Sequence, residues 1–413
     1  MRFHPIIAAL KQHKAGVVLI ALQIALTLAI VSNAVHIIVQ RLDRVSRPTG
    51  VDEANLFRVS TLFVGAPLGD DKASLDKLDA LQLSDVDALR HVPDVVSVSA
   101  SNAMPLQGGI WVGGVSVKPN QKTPTSTFGY YYGDEQMIKT LGVRLIAGRN
   151  FNAGEVIHHT INDTSMSPVS IVSKHLADKL YPHGDVLGKT VYIDNKPTTV
   201  IGIVDALQIS NASFHVTWDY DTVMQPVRLS GAVANYALRA KPGRLREALR
   251  ESRAALFAAN PMRVMPASWG LLSMAEIRDK AYRGDRGMAI LMMGVCVVLL
   301  GVTAAGIVGL TSFWVGQRRR QIGVRRALGA RRIDILRYFQ IENLLIASAG
   351  VVIGVLLAQG LSLWLMSHYE MPRIPVTYLL VGAVALLMIG QMAVFVPARR
   401  ASLVPPVEAT RAA

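Results

Sequence analysis

The sequence predicts an integral membrane protein in which four transmembrane α-helices carry one large α+β extracytoplasmic (periplasmic) domain between spans 1 and 2. Three observations predict it. Four uncharged apolar runs are each long enough to cross a bilayer, the stretch between the first two has ordinary polarity, and the arginines and lysines beside the spans crowd onto one side. A mean hydropathy of +0.33 with 51% hydrophobic residues lies between a soluble domain and a bare bundle of spans, so part of the chain is expected in water.

Crossing a hydrocarbon core of about 30 Å at about 1.5 Å per residue takes about 20 apolar residues. Residues 15–40 and 288–316 meet that length without a single Asp, Glu, Lys or Arg. Residues 343–367 and 374–397 supply the third and fourth spans, with prolines only near the ends of the last, at Pro375 and Pro397. Residues 368–373 are then a short extracytoplasmic loop. The first run follows a basic stretch, Arg2, Lys11 and Lys14, as a secretory signal does. A signal's apolar region is about 7–15 residues, so this longer run is expected to stay as an uncleaved anchor.

Orientation follows from the flanking charges. The segment 317–342 holds Arg318, Arg319, Arg320, Arg325, Arg326, Arg331, Arg332 and Arg337; the N-terminal segment 1–14 adds three basic residues and the tail 398–413 adds Arg399, Arg400 and Arg411. Only Asp334, Glu342 and Glu408 oppose them on that side. That side is expected to be cytoplasmic, with both termini in the cytoplasm. The net charge of +14 therefore reflects topology, and no recognition module accompanies it, so no nucleic-acid partner is expected.

Residues 41–287 alternate β-rich runs (56–64, 95–100, 109–117, 169–172, 190–193, 198–204, 235–240) with helical patterns (84–91, capped by Ser84; 174–180; 242–259). Residues 65–77 and 118–126 read as flexible loops. A helix from residue 272 is expected to lead straight into span 2 as a stalk.

No catalytic, nucleotide-binding, metal or cofactor site is expected, and the chain is not read as an enzyme. The run G-D-V-L-G-K-T at 184–190 is one residue short of a phosphate loop, because position 183 is His. Leu229-Ser230-Gly231 matches only the start of an ATPase signature. His158 and His159 are adjacent, while His175 and His183 fall in separate elements, which is poor metal-ligand spacing. The single Cys296 lies in an apolar span and reads as a small buried hydrophobe.

The segment 317–342 reads Q-R-R-R-Q-I-G-V-R-R-A-L-G-A-R-R-I-D-I-L-R-Y-F-Q-I-E. Ile322, Leu328, Ile333, Leu336 and Phe339 recur at spacings that give a helix an apolar face beside an arginine-rich one, and Gly323, Gly329 and Ala330 permit close approach. Such an element lies on a membrane surface or docks into a partner's groove.

This segment resembles the cytoplasmic loop of the MacB/FtsX-like family of ABC transporter permeases, where an R-R-x-E-I-G-I-R-R-A-L-G-A motif follows the second span. Residues 168–204, with V-S-I-V-S-K-H-L-A-D-K-L-Y-P, G-D-V-L-G-K-T-V-Y-I and T-T-V-I-G-I-V, are similar to the family's periplasmic core, and P-A-R-R-A-S-L-V-P-P-V-E at 397–408 is similar to its ending. The resemblance implies a four-span permease subunit without a fused ATPase domain, in the bacterial inner membrane. It implies a dimer with a second permease and a separate cytoplasmic ATP-binding subunit whose hydrolysis moves the periplasmic domain. Ile322, Gly323, Arg325, Arg326, Ala327, Leu328, Gly329 and Ala330 match the family's ATPase-coupling loop. Gly188 and Lys189 match a motif read as a tight turn before a strand. Gln321 stands where the family usually has Glu, which leaves homodimer and heterodimer equally open. The large loop favours export or efflux of a periplasmic substrate with a membrane-fusion adaptor. The alternatives are FtsX-like activation of a cell-wall hydrolase and lipoprotein extraction.

Overall fold

The computed structural model describes residues 14–403 except 68, 70, 161–165, 212–216 and 370–372. Arg2, Lys11, Glu408, Arg411, half of the 368–373 loop and the last residues of the 397–408 motif lie outside the described residues. The chain divides into two units: Met1–Ser46 with Gly284–Ala413, and Arg47–Arg283.

In chain order the elements are α1 (Lys14–Ser46), β1 (Leu56–Phe63), α2 (Lys72–Arg90), β2 (Val95–Ala100), β3 (Val112–Ser116), β4 (Ser126–Gly133), α3 (Met137–Leu141), β5 (Leu145–Gly148), β6 (Ile157–His159), β7 (Val169–Ser173), α4 (Lys174–Leu180), β8 (Thr190–Ile193), β9 (Lys196–Val204), β10 (Thr222–Leu229), β11 (Val233–Ala240), α5 (Leu245–Ala259), β12 (Arg263–Val264), β13 (Leu271–Ser273), α6 (Met274–Gln317), α7 (Arg319–Ala327), α8 (Arg332–Tyr369) and α9 (Val376–Ser402).

Among the described residues, helices α1, α6, α8 and α9 are the four long enough and apolar enough to span a bilayer. Two glycines seat α8 on α1. A methyl group on Gly350 would lie 2.7 Å from the Ala21 carbonyl oxygen, and one on Gly354 would lie 2.9 Å from that of Ala25. The G-x-x-x-G spacing thus strips one face of α8 to backbone where α1 passes, gaining van der Waals contact that lipid tails cannot supply. Polar side chains lock the same bundle. Thr27 and Thr303 share a 2.7 Å hydrogen bond, Gln23 donates to the Val302 carbonyl at 3.0 Å, and Asn33 donates to the carbonyls of Ala29 and Ala358 at 2.9 and 3.2 Å. Each satisfies a group that hydrocarbon would leave unbonded. Beyond the apolar stretch, Asp285 of α6 pairs with Arg41 and Arg44 at the end of α1.

Helix α6 is 44 residues long, about 66 Å at the usual rise. That is roughly twice the hydrocarbon thickness, so the helix continues unbroken well past its apolar part.

Among its described residues, the second unit has two sheets. One has the order β12-β1-β11-β2, all antiparallel, with β13 also on β1. Helices α2 and α5 cover it through Val86, Leu89, Ala248 and Leu256, against Phe57, Val59, Val98, Tyr236 and Leu238. The other runs β4-β3-β8-β9-β7-β10-β6, and parallel pairing of β10 with β4 closes six of its strands into a ring around Val115, Phe128, Val172, Val191, Ile193 and Val223. Ser173 caps α4 by accepting from the Leu176 N–H.

Two sequence expectations fail locally. The helix expected at 84–91 with Ser84 as its cap begins twelve residues earlier, at Lys72, because the Asp71 carboxylate accepts from both the backbone N–H and the hydroxyl of Ser74. The stretch 65–77, expected as a loop, therefore contains the first turn of α2. Strand β10 escapes notice because Pro226 lies inside it. That proline falls between the residues paired with β7 and those paired with β6.

A buried network holds the first sheet to α2. Arg263, with no exposed side-chain surface, forks onto both oxygens of Asp85 at 2.7 and 2.8 Å, and the Tyr236 hydroxyl donates to the same carboxylate at 2.9 Å. Burial, reinforced by that charge, holds the Tyr236 hydroxyl well above its ordinary pKa. Removing one partner strands the other charge in a dry interior. Asp85→Ala is expected to lower stability by about 3–5 kcal/mol, whereas removing the exposed Lys174–Asp178 pair should change it by under about 1 kcal/mol; urea denaturation of the purified protein measures both.

Glu53 shows the opposite sign. Burial opposes its charge, but hydrogen bonds from Arg278 and Thr49, with the Arg278 charge, outweigh that and hold its carboxyl below the usual range. The stability this gives is present above the unfolded carboxylate pKa, about 4.3, and is lost as pH falls through the lower folded value. Glu53→Gln should therefore destabilise at pH 7 and lose that difference from the wild type as pH falls through the lowered carboxyl pKa, as pH-resolved melting curves would show.

Candidate functional site

The arginine-rich segment after α6 is two helices with a sharp stop between them, where the sequence pattern predicted one amphipathic face. Helix α7 ends in a Schellman motif: the Gly329 N–H bonds to the Arg326 carbonyl at 3.1 Å and the Ala330 N–H reaches the Arg325 carbonyl at 3.0 Å. This closure requires the left-handed region at Gly329, where φ is +96°. A side chain there would cost roughly 1–2 kcal/mol. Two residues later α8 starts, with the Asp334 carboxylate accepting from the Arg331 N–H at 3.0 Å.

The break redistributes the five apolar positions. Ile322 and Phe339 are buried with Ile335, packed among Trp314, Ala398 and Ala401. Leu336 is half-buried, but Ile333 is exposed and Leu328 is 83% exposed. The expectation of a single face through Leu328 and Ile333 is corrected here: the Schellman turn reverses the chain and lifts Leu328 to the apex.

The base of the segment is fixed by an ion pair that sequence reading missed. Arg318, at the junction of α6 and α7, places one guanidinium nitrogen 3.0 Å from each oxygen of Glu342 on α8. Side-chain exposure is 10% for Arg318 and 2% for Glu342, so the pair is shielded from screening. The two residues had looked like ordinary flanking charges. Only their positions at the two ends of one loop hinted at pairing.

Gly323 is buried beside Ile322 on α7, while Ala327, Leu328 and Gly329 are exposed and Ala330 is half-buried against the bundle. Arg325 lies over the Tyr338 ring, 5.0 Å from its centroid, which anchors the guanidinium while leaving it exposed. Arg326 is half-buried and its Nε–H has no hydrogen-bond partner. Gln321 is exposed one turn before Arg325 on α7. The result is a small apolar knob, Leu328 with Gly329, framed by cations and backed by a packed base.

The sequence G-D-V-L-G-K-T folds as the turn entering β8. Gly188 has φ +76°, the Asp185 carboxylate accepts from the Leu187 N–H, and Lys189 sits 4.0 Å over the Tyr181 ring. That lysine is engaged with an aromatic face.

Comparison with known proteins agrees with this architecture. Residues 16–255 match the family described as MacB-like periplasmic core domain, and residues 293–406 match FtsX-like permease C-terminal. The macrolide export ATP-binding/permease protein MacB of Neisseria gonorrhoeae is 26% identical over 355 residues, 84% of this chain and 51% of that protein. The protein named MacB 2 of Aeromonas hydrophila subsp. hydrophila is 26% identical over 396 residues, 92% of this chain and 56% of that protein. The chain thus spans about half the length of the curated relatives it matches. The crystal structure of the periplasmic region of MacB from Actinobacillus actinomycetemcomitans is 16% identical, with 58% of this chain and 97% of that one aligned at a TM-score of 0.34. With the first family covering more than half of its residues and the second most of the remainder, the chain belongs to the MacB/FtsX-like family of ABC transporter permeases.

Proposed function

We propose that this permease couples ATP hydrolysis by a cytoplasmic ATP-binding subunit or domain to movement of its extracytoplasmic domain, driving export of a periplasmic substrate with a membrane-fusion adaptor. The observation that carries the reading is the Leu328 apex. An 83% exposed leucine flanked by Arg325, Arg326, Arg331 and Arg332 is an apolar anchor with a cationic rim, the pattern of a docking surface for an acidic, apolar-lined groove. The Schellman turn and the Arg318–Glu342 pair give that knob a stiff mount, which transmission of force needs. Ile322, Gly323, Arg325, Arg326, Ala327, Leu328, Gly329 and Ala330 are the proposed coupling residues: Ile322 and Ala330 as footing, Leu328 and Gly329 as the knob, and the arginines as its electrostatic guide.

Orientation follows the positive-inside rule, with the knob and both termini in the cytoplasm of a bacterial inner membrane. A second permease is the expected neighbour of α6. Only 17% of that helix's apolar stretch is buried, and among the described residues no atom beyond the local backbone of α6 comes within 4 Å of where a methyl on Gly294 or Gly301 would lie. Small residues on an open apolar face suit helix–helix contact in lipid. The export reading takes support from the MacB relatives, which are named as macrolide export proteins.

Reversing Arg325 and Arg326 together to Glu should reduce recovery of the ATP-binding partner by about tenfold or more, with membrane insertion unchanged. Affinity purification from native membranes with quantitative mass spectrometry measures it; wild-type recovery would refute the assignment. In the same assay, Gln321→Glu should permit homodimers if a second, different permease normally supplies that acid.

A further inference from the structure

One end of the first sheet is apolar on both faces. Side chains alternate across a strand; Phe63 and Ala234 are buried in the core under α2 and α5, and Arg263 reaches Asp85 of α2. Their neighbours point the other way. Leu62 sits directly across from Val233 on β11 and from Val264 on β12, and the Val64 N–H bonds to the Met262 carbonyl at 2.9 Å, which continues that register. The outer row is therefore Val233, Leu62 and Val264, with Val64 and Met262 beside it. Val64, Val233, Met262 and Val264 are 48, 46, 57 and 51% exposed. A sheet face that meets water usually carries polar residues at such positions.

Charge is missing from the segments that build this face. In a chain that is 17% charged, residues 59–67, 229–238 and 254–275 hold no Asp, Glu, Lys or Arg except Arg263, which points into the core. The adjoining cavity of about 270 Å³, which Val233 shares with Trp111, has no charged side chain among its described walls. Depletion of charge is the mark of the buried centre of a lasting interface. A face without charges also brings no like charges together across a two-fold axis, so it can meet its own copy.

Size selects the occupant further. The patch is of the order of a few hundred Å², enough to mark a contact site but well short of the roughly 800 Å² per partner that holds a freely diffusing protein. A neighbour already tethered in the same bilayer needs no such area, because tethering raises its effective concentration. We propose that this face packs against the same face of a second copy of this chain, the two sheets meeting about 10 Å apart as in a sandwich. The inference rests on the reading that a second permease stands beside α6, and it commits that neighbour to being an identical chain.

The test uses the full chain in native membranes, with Cys296→Ala removing its one thiol. Val233→Cys and Val264→Cys are then made singly, with Lys174→Cys as an exposed control. Val233 and Val264 lie two strand spacings apart, about 10 Å, so a two-fold axis through the patch brings at least one of them within reach of its own copy. A short bis-maleimide should convert at least one of these variants, and not the control, to a dimer. Adding Val264→Glu to Val233→Cys, or Val233→Glu to Val264→Cys, should lower that yield at least about fivefold, because a carboxylate would be buried without a partner. Threonine at the same positions, a strand former of similar shape, should lower it in the same direction and serves if the glutamate variants are poorly made. Two differently tagged copies, co-expressed and captured on one tag, report the dimer independently. Co-recovery without a crosslink at either valine overturns this contact and leaves the second permease standing, whereas loss of both overturns the two readings together. A crosslink at these valines to a different protein, or one as strong at the control, overturns the proposal as well.

Discussion

The Arg318–Glu342 pair carries the geometry of the arginine-rich segment between α6 and α8. It ties the end of α6 to α8 across a loop of more than twenty residues, so everything between them is a closed excursion with a fixed base. A buried pair of this kind gives little net stability, because desolvation offsets most of the attraction; its contribution is register. Either charge left alone would draw water into the bundle edge. With the base fixed, a Schellman stop and a capped restart suffice to set the apex.

The same division of labour recurs in both units. In the membrane, apolar surface alone cannot pair helices, because lipid competes equally for it. Bare backbone at Gly350 and Gly354 and the Thr27–Thr303 and Asn33 hydrogen bonds decide which helices meet. In the extracytoplasmic unit, burial of Phe57, Tyr236 and their neighbours drives collapse, and the Asp85–Arg263–Tyr236 network decides which helix sits on which sheet. Apolar burial supplies the energy and a few saturated polar contacts supply the choice.

The four-span architecture with its inserted domain was legible in the sequence because bilayer thickness sets a length that composition must obey. The loop's identity as a special segment was legible in its arginines. Its shape was not. A helical wheel assumes one helix, and L-G-A at 328–330 is a stop whose meaning depends on backbone bonds to Arg325 and Arg326. Glu342 was counted as a flanking charge because pairing across twenty-four residues leaves no periodic trace. The start of α2 was hidden by Asp71, whose cap precedes a polar first turn, and β10 by Pro226.

The central claim is that the Leu328 knob is where an ATP-binding partner bears on this permease. The most direct measurement places a photo-crosslinking amino acid at Leu328 and, as a control, at exposed Lys174 in the extracytoplasmic unit, then irradiates native membranes and identifies the adducts. A crosslink from position 328 to an ATP-binding protein, stronger or weaker with nucleotide state and absent from position 174, is the predicted result. Adducts at 328 with lipid alone would contradict the account.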